Sequence, residues 1–523
     1  MDTADQVGLR QVQLVVAAID EDSFAVEQRS HGPIAQRGSL LKSSDQVDGH
    51  SVENTRSANF LRGALAGQAA PREFCSVIMQ SFASKSLSHM VLGIPALKHV
   101  LTGVLVAVSG VFLLSCGGSS STTTPPSGLK FRAFVSQGVT ASTAIPGLVI
   151  VDALHDRLAT VAAISAGASP GLMAVPANRQ LTMVFNDTDN ELDVVNNAKE
   201  TPNGKVTLPS STQSMAVSSD ATLGFAAVPQ APVAGLAPGA VELINLTTTA
   251  LEAPVPNCPP TNPLSNCLSG ARYIVLSSDN THLLVFGNAT NAFTVVGLSN
   301  IGTTSSPNWV VSSTTQVIPP PGGLAQLDHP VWAVFSPDGS TAYILSCGAE
   351  CGGTTASITP FTLATNQLGP TVPLAGGATY GASFGNTVYV VGSVECVTGA
   401  NPISCGKLSI LNTSGNTVQL VKTVSIPAGY HDRMAVTSDN QVFIGAQGCT
   451  SGCLSIYNSN NGNVVIGSDL GEVTGIQPIS GRPQVYVVQN GELRNWSTLT
   501  DTLSPPQQQI DIVGQGVDVK LVD

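Results

Sequence analysis

The sequence predicts an all-β protein, a β-propeller whose blades each have four strands, and three observations favour this class. Only 11% of the 523 residues are charged, against about 25% in ordinary soluble domains. Turn-forming residues are abundant, with 51 Gly and 33 Pro. From residue 130 onward, a unit of four short apolar strands recurs every 40–60 residues, which is the pattern of propeller blades.

The charge balance limits the possible partners. The formal charge is −12, with 22 Lys and Arg against 34 Asp and Glu, and no stretch is rich in Lys and Arg. The chain therefore has no basic surface to meet phosphates, which excludes nucleic-acid binding. The low charge and the many turn residues also argue against a coiled coil or a helix bundle.

The first informative element is an uncharged segment well inside the chain. Residues 100–114, VLTGVLVAVSGVFLL, carry no charge and follow Lys98 and His99. A basic flank, an apolar stretch of this length and a small residue before the cleavage point describe a secretory signal, whereas a membrane span needs about 20 apolar residues. The tetrapeptide LLSC, which ends at Cys116, resembles the lipobox of bacterial lipoproteins. This resemblance implies that Cys116 carries a lipid.

The signal divides the chain into four predicted parts. Residues 90–115 are the lipoprotein signal peptide, and residues 116–129 are a flexible polar tether. Residues 130–523 are the propeller domain. Residues 1–89 have mixed charge and no compact apolar pattern, so they are either a disordered leader or sequence upstream of the true start. The predicted location is the bacterial cell envelope, at the outer membrane, with the lipid as the membrane contact.

The repeats are clearest at the turn between the first and second strands of each blade. The sequences AVSSD (216–220), LSSD (276–279), FSPDG (335–339) and VTSD (436–439) align there, with aspartates 59, 59 and 101 residues apart. Ser, Pro, Asp and Gly are the residue types that favour such turns. FSPDG and the strands after it resemble the YVTN/lactonase-like β-propeller repeats, and the resemblance extends over residues 130–523. It implies the fold strongly and the function weakly, because propellers carry many unrelated activities.

Strand counting predicts how the ring closes. Residues 131–136 form a second-type strand with no first strand before it, and residues 516–522 form a first-type strand with nothing after it. The C-terminal strand is therefore expected to complete the N-terminal blade, which removes exposed sheet edges. Eight blades result. Seven blades remain possible if the irregular unit at residues 292–326 is an insertion.

Eight cysteines beyond the lipidation site fall into close pairs. In an exported chain this pattern predicts disulfides, with zinc binding by thiols as the alternative. All four pairs fall in second-to-third or fourth-to-first loops, which share one face of a propeller. We name this the stapled face, and the opposite face, which carries the first-to-second turns, the plain face. The pairs are Cys258/Cys267, Cys347/Cys351, Cys396/Cys405 and Cys449/Cys453.

The stapled face also receives the starts of the innermost strands, which surround the central channel. Polar and aromatic residues gather there that could act as acids, bases or oxyanion partners. The family resemblance implies that lactonases of similar fold hold their catalytic groups in this region. Buried Asp and Arg at such positions also often bind loop backbone, which is the competing structural role. The candidates are Arg272, Asp328, His329, Tyr380, Tyr430, His431, Asp432 and Arg433.

Two functions compete at this stage. The first is a non-catalytic binding or interaction scaffold, lipid-anchored at the envelope, with a protein, small-molecule or glycan ligand at the stapled face. The second is an exported lactonase-type hydrolase that uses the channel cluster, which requires His329, His431 and an Arg to converge on one cavity. The sequence has no Gly-rich nucleotide loop, HExxH or Gly-x-Ser-x-Gly motif. We therefore expect no cofactor and no metal.

Overall fold

The structure is a computed structural model that describes residues 124–523 with a few gaps. The gaps are 139–145, 234–237, 256–270, 288, 290, 304–305, 395–404, 416, 450–451 and 507. The predicted leader, the signal peptide, Cys116, Cys258, Cys267 and Cys396 lie outside the described residues. Within the described part, no helix has both the length and the apolar character needed to cross a membrane.

Eight antiparallel sheets follow one another along the chain, each with a path of four strands. Blade 1 contains β1 (Arg132–Gly138), β2 (Gly147–Asp152), β3 (Arg157–Leu158) and β34 (Gln515–Leu521). Blades 2 to 4 contain β4 (Pro170–Ala174), β5 (Leu181–Asn186), β6 (Glu191–Asn196), β7 (Thr201–Thr207); β8 (Ser214–Val217), β9 (Leu223–Val228), β10 (Ala240–Asn245), β11 (Ala250–Leu251); and β12 (Tyr273–Leu276), β13 (His282–Phe286), β14 (Phe293–Asn300), β15 (Trp309–Val317).

The remaining four blades repeat the same order, and one short 3₁₀ segment, Gly348–Cys351, interrupts blade 5. Their strands are β16 (Pro330–Phe335), β17 (Thr341–Ser346), β18 (Ser357–Thr362), β19 (Gln367–Leu368), β20 (Val372–Pro373); β21 (Tyr380–Phe384), β22 (Thr387–Ser393), β23 (Gly406–Asn412), β24 (Gln419–Ile426); β25 (Tyr430–Val436), β26 (Gln441–Gln447), β27 (Leu454–Asn458), β28 (Asn463–Ile466); and β29 (Val473–Pro478), β30 (Gln484–Gln489), β31 (Glu492–Ser497), β32 (Thr502–Leu503), β33 (Gln509–Ile510).

The prediction of an eight-bladed propeller is confirmed, and the seven-bladed alternative is wrong. The irregular unit at residues 292–326 supplies the third and fourth strands of blade 4, β14 and β15, which pair along their length. The innermost strands contact one another in a closed cycle: β34, β4, β8, β12, β16, β21, β25, β29 and back to β34. This cycle surrounds the central channel.

The C-terminal strand closes the ring, as predicted. β34 is the innermost strand of blade 1 and pairs antiparallel with β1, with Val519 opposite Val135. On the plain face, Arg132 reinforces this closure from within the same blade. Its Nε and Nη2 donate to the two carboxylate oxygens of Asp523 at 2.6 Å each, and its Nη1 donates to Glu200 of blade 2 at 2.8 Å. Glu200 also accepts from the backbone N–H of Ser127 at 2.7 Å.

The core lies between blades, because each sheet packs both of its faces against a neighbour. The second strands are buried throughout, as in β5 and β9, whereas the outer strand β7 is largely exposed. The eight apolar clusters of the described residues each join two adjacent blades. This explains why the strand sequences contain long apolar runs instead of the alternation of a sheet with one wet face.

Candidate functional site

Disulfides fasten the loops of the stapled face in two blades. Cys347 pairs with Cys351 between β17 and β18, and Cys449 pairs with Cys453 between β26 and β27, each with Cα atoms 5.8 Å apart. Cys405 is also disulfide-bonded, and its predicted partner lies outside the described residues. Among the residues that the structure describes, no group of three or more His, Cys, Asp or Glu side chains could hold a metal ion.

Two pairs of aromatic side chains, contributed by four blades, lie in the channel. Tyr273 at the start of β12 and Tyr430 at the start of β25 join blades 4 and 7 through a hydrogen bond of 2.9 Å between their phenol oxygens. Trp332 of β16 stacks on Tyr380 of β21, with ring centroids 4.5 Å apart. The guanidinium of Arg272, on the exposed side of this group, lies 5.8 Å from the centre of the Tyr273 ring. Aromatic faces and a cation therefore line the stapled-face side of the channel.

Asp432 and Arg433 add an ion pair to this wall. Arg433 Nη1 lies 3.1 Å from Asp432 Oδ2, and its Nε donates to the carbonyl of Thr474 at 3.0 Å. Gln447 Nε2 donates to the same Asp432 oxygen at 2.6 Å. The other oxygen, Oδ1, is buried without a hydrogen-bond partner in the described structure. Burial raises the pKa of Asp432 to about 6, against the opposing charge of Arg433.

Asp328 and His329 lie at the start of blade 5 and bind the disulfide loop. Asp328 Oδ2 accepts from the backbone N–H groups of Thr354 and Thr355 at 2.7 and 2.8 Å, and Oδ1 lies 2.8 Å from His329 Nδ1. Burial opposes ionisation of Asp328, but these hydrogen bonds outweigh it and lower its pKa to about 2. His329 has a φ of +57°, a conformation that a non-Gly residue holds only under constraint. Asp328 and His329 therefore position the disulfide loop, which is the competing structural role named in the sequence analysis.

His431 belongs to the interior between blades 6 and 7. It is 2% exposed, and its Nδ1 lies 3.5 Å from Ser393 Oγ. Its carbonyl accepts from Thr379 Oγ1 at 2.6 Å. Burial lowers the imidazole pKa to about 4, although the backbone carbonyl of Pro427 opposes this shift. The imidazole is therefore neutral at physiological pH and serves packing.

The structure thus divides the predicted residues into two sets. Arg272, Tyr380, Tyr430, Asp432 and Arg433 share the channel wall, where Arg433 interacts electrostatically with Tyr380 and Asp432 and Tyr430 interacts with Arg272 and Asp432. Asp328, His329 and His431 form the second set and do not join this wall. Asp328 and His329 bind the disulfide loop of blade 5, and His431 is buried between blades 6 and 7.

Tyr273 and Trp332 were missed as site residues. Both come four residues before an aligned turn serine, in RYIVLS and VWAVFS. That shared register, the same as that of Arg433 before Thr437, is the signal in the sequence that could have identified them.

Comparison with solved structures supports the fold. The dihydro-heme d1 dehydrogenase NirN aligns with 77% of this chain and 79% of its own, at 12% identity and a TM-score of 0.51. The periplasmic gluconolactonase PpgL of Pseudomonas aeruginosa aligns with 75% of this chain and 99% of its own, at 15% identity and a TM-score of 0.44. No protein-family model and no curated protein sequence matches the chain. The NirN match shows a propeller fold alone, and the resemblance to YVTN repeats stays a prediction.

Proposed function

We propose that the protein is a lipid-anchored envelope propeller that binds a carbohydrate, without catalysis, at the stapled-face side of its channel. The observation that carries the proposal is the presence of two aromatic pairs in one channel, Tyr273 with Tyr430 and Trp332 with Tyr380. Sugar rings place their C–H faces on aromatic rings and their hydroxyls on polar groups. Arg272, Asp432 and Arg433 supply such polar groups beside the aromatic faces.

Two groups that a hydrolase of lactonase type would need already have other roles. His329 Nδ1 lies 2.8 Å from Asp328 Oδ1 in the pair that positions the disulfide loop, and His431 is buried as a neutral imidazole. A general base must reach the proton that it removes, directly or through one water. This engagement supports binding over hydrolysis.

Binding is tested with two defined saccharides, a muropeptide from peptidoglycan and a lipopolysaccharide core oligosaccharide, by isothermal titration calorimetry. We expect saturable binding of at least one, weakened roughly tenfold by Tyr430→Ala and roughly fivefold by Arg272→Gln, because each removes a direct contact. Arg157→Gln is the matched control, since Arg157 is an exposed arginine of β3 outside the channel. Equal losses in Arg272→Gln and Arg157→Gln, or no binding of either saccharide, would contradict the proposal.

The lipid anchor is tested separately. Wild-type protein is expected to partition into the detergent phase, and Cys116→Ser is expected to move it to the aqueous phase or to block its maturation. Ser115→Gly, which keeps a small residue before the cysteine, is the control that should still partition into detergent. A soluble mature wild-type protein that retains residues 1–89 would refute the anchor.

Hydrolysis remains the second candidate because of one carboxyl. Asp432 has a pKa of about 6 and an unpartnered buried oxygen in the described structure, next to Arg433, and perturbed carboxyls of this kind are frequent in active sites. The measurement is the hydrolysis rate of an aldonolactone panel. The binding proposal expects the rate with wild-type protein to equal the uncatalysed rate. Acceleration that Asp432→Asn abolishes would replace it with the hydrolase.

A further inference from the structure

The residue types that line the channel differ between its stapled-face end and its plain-face end. Its stapled-face side carries the polar residues and the tyrosines of the site described above, and Trp332 of that site also reaches the plain-face half of the channel. On the plain face, every innermost strand ends in an apolar residue. Several of these are only partly covered, and Phe384 is 41% exposed. The eight strand ends are Ala174, Val217, Leu276, Phe335, Phe384, Val436, Pro478 and Leu521.

A cavity of about 340 Å³ lies at this apolar end, among the innermost strands of blades 3, 4 and 5. Its wall includes Met215, Val217, Leu276 and Trp332, and its rim includes the turn residues Ser219, Ser277 and Ser278. Pockets that bind small molecules typically have volumes of about 300–1,000 Å³ and apolar walls. The cavity therefore has the size and the lining to hold an apolar group.

Two carboxylates lie in the turns next to this cavity, although neither lines it. Asp220 and Asp279 are in the turns that also carry Ser219 and Ser278. The groups that donate to them are neutral, namely Ser218, Thr222 and Trp309 for Asp220, and Ser277 and Thr281 for Asp279. Burial opposes ionisation of both carboxyls, but these donors lower each pKa below its usual value. Both carboxylates are therefore ionised at neutral pH, and Asp279 is exposed between Ser278 and Asn280, which both line the opening.

We propose that the plain-face end of the channel is a second binding site, which takes a small amphiphile with an apolar body and a cationic head. The body is buried against Leu276 and Trp332, which removes apolar surface from water. The head stays outside the apolar lining, near the turns that carry Asp220 and Asp279, where the charges are complementary. An anionic amphiphile such as a fatty acid is repelled by the same carboxylates. The proposal does not depend on carbohydrate binding at the stapled face.

The experiment uses the full chain and the neutral fluorescent probe N-phenyl-1-naphthylamine, with all amphiphiles below their micelle concentrations. We expect dodecyltrimethylammonium to displace the probe at a concentration at least tenfold lower than dodecanoate. Leu276→Arg should weaken probe binding at least tenfold because it places a long cation in the cavity. Leu499→Arg is the matched control, since Leu499 is 76% exposed in a turn of blade 8 and its substitution should change nothing.

A second readout keeps the test decisive if Leu276→Arg fails to fold. A dodecyl ammonium brominated on its chain should quench tryptophan fluorescence in the wild-type protein, and Trp332→Phe should remove most of that quenching. Tyr430→Ala, which alters only the stapled-face site, should leave the quenching unchanged, and its loss in that variant would overturn the proposal. Asp279→Asn should narrow the preference for the cationic amphiphile over dodecanoate. Equal displacement by both amphiphiles, equal effects of Leu276→Arg and Leu499→Arg, or full quenching in Trp332→Phe would each overturn the proposal.

Discussion

Among single residues, the hydrogen-bond donors around a carboxylate decide whether it is available to a ligand. Asp328 and Asp432 both follow loops of the stapled face, yet their pKa values move in opposite directions, to about 2 and about 6. Backbone amides donate to Asp328, whereas one oxygen of Asp432 is buried without a hydrogen-bond partner in the described structure. The first carboxylate is therefore committed to its loop, and the second keeps acceptor capacity for a ligand.

A third carboxyl, Glu350, is expected to make stability depend on pH. It lies in the 3₁₀ segment between Cys347 and Cys351, and its Oε2 accepts from the backbone N–H of Ser393 at 2.8 Å. Burial raises its pKa from 4.5 to about 7, against this hydrogen bond. A carboxyl with a raised folded pKa contributes stability that is complete below 4.5 and is lost as the pH rises through 7. Glu350→Gln should therefore raise the melting temperature by a few degrees at pH 8 and leave it unchanged at pH 4.5.

The control for this prediction is Glu252→Gln, since Glu252 is an exposed carboxyl of blade 3 that accepts from Asn245. Melting is followed by circular dichroism for the wild type and both variants at the two pH values. If Glu350→Gln and Glu252→Gln shift by the same amount at pH 8, the buried carboxyl does not cause the pH dependence.

Among the structural elements, the first-to-second turns show why local sequence predicts so much of the fold. In blade 5 the Ser336 hydroxyl donates to Asp338 at 2.6 Å, and the N–H of Thr341 donates back to the Ser336 hydroxyl at 3.0 Å. Gly339 follows with a φ of +71°, which glycine adopts without steric cost. Each turn satisfies its own polar groups, so a motif of five residues suffices to identify it.

One of these turns should be more important for stability than the others. Asp220 accepts from Ser218 and Thr222 within its own turn, just as Asp338 accepts from Ser336 and Ser340 within its turn. Unlike Asp338, Asp220 also accepts through Oδ2 from Trp309 Nε1 of the next blade, at 2.7 Å. Asp220→Ala leaves that indole N–H without its partner, and we expect a loss of about 1–3 kcal/mol in the free energy of unfolding. Asp338→Ala should cost less. Denaturant titration measures the free energy of unfolding of both variants. Equal losses would mean that the hydrogen bond between Asp220 and Trp309 adds nothing to stability.

The channel could be predicted only in part, because its contacts join distant parts of the chain. The sequence identified the strands that surround it, and it placed Tyr380, Tyr430 and Arg433 on its wall. It did not reveal that Tyr273 reaches Tyr430, because that contact depends on the channel width between blades 4 and 7. It also did not separate Asp432 from His431, because the register of β25 shifts between His431 and Arg433, and a simple alternation of side chains does not show this irregularity.

At the scale of the whole molecule, the ring depends on contacts between its two ends. β34 pairs with β1, and Arg132 joins Asp523 and Glu200 on the plain face. A second cluster secures the other side of blade 1, where Arg482 of blade 8 donates to both oxygens of Asp156 at 2.7 and 2.8 Å. Blade 1 is therefore tied to both of its neighbours by buried or half-buried ion pairs.

Removal of the closing strand should abolish cooperative folding. Deletion of residues 514–523 leaves β1 without its inner partner and opens the contacts of blade 1 with blades 2 and 8, so we expect no single sharp unfolding transition. Asp523→Ala removes only the carboxylate that meets Arg132 and should keep a sharp transition at a lower midpoint. Urea unfolding followed by near-ultraviolet circular dichroism distinguishes these outcomes. A deleted protein as stable as the wild type would show that closure does not require β34.

The same closure has a consequence for the order in which the chain acquires its fold. Ser136 and Asp518, which meet between β1 and β34, are 382 residues apart along the chain. A ribosome makes β1 early, so its inner edge stays unpaired while the other seven blades are synthesised. Exposed edges of this kind invite pairing with other chains. A chain interrupted anywhere before β34 is therefore expected to aggregate, because the first blade stays incomplete until β34 has been made.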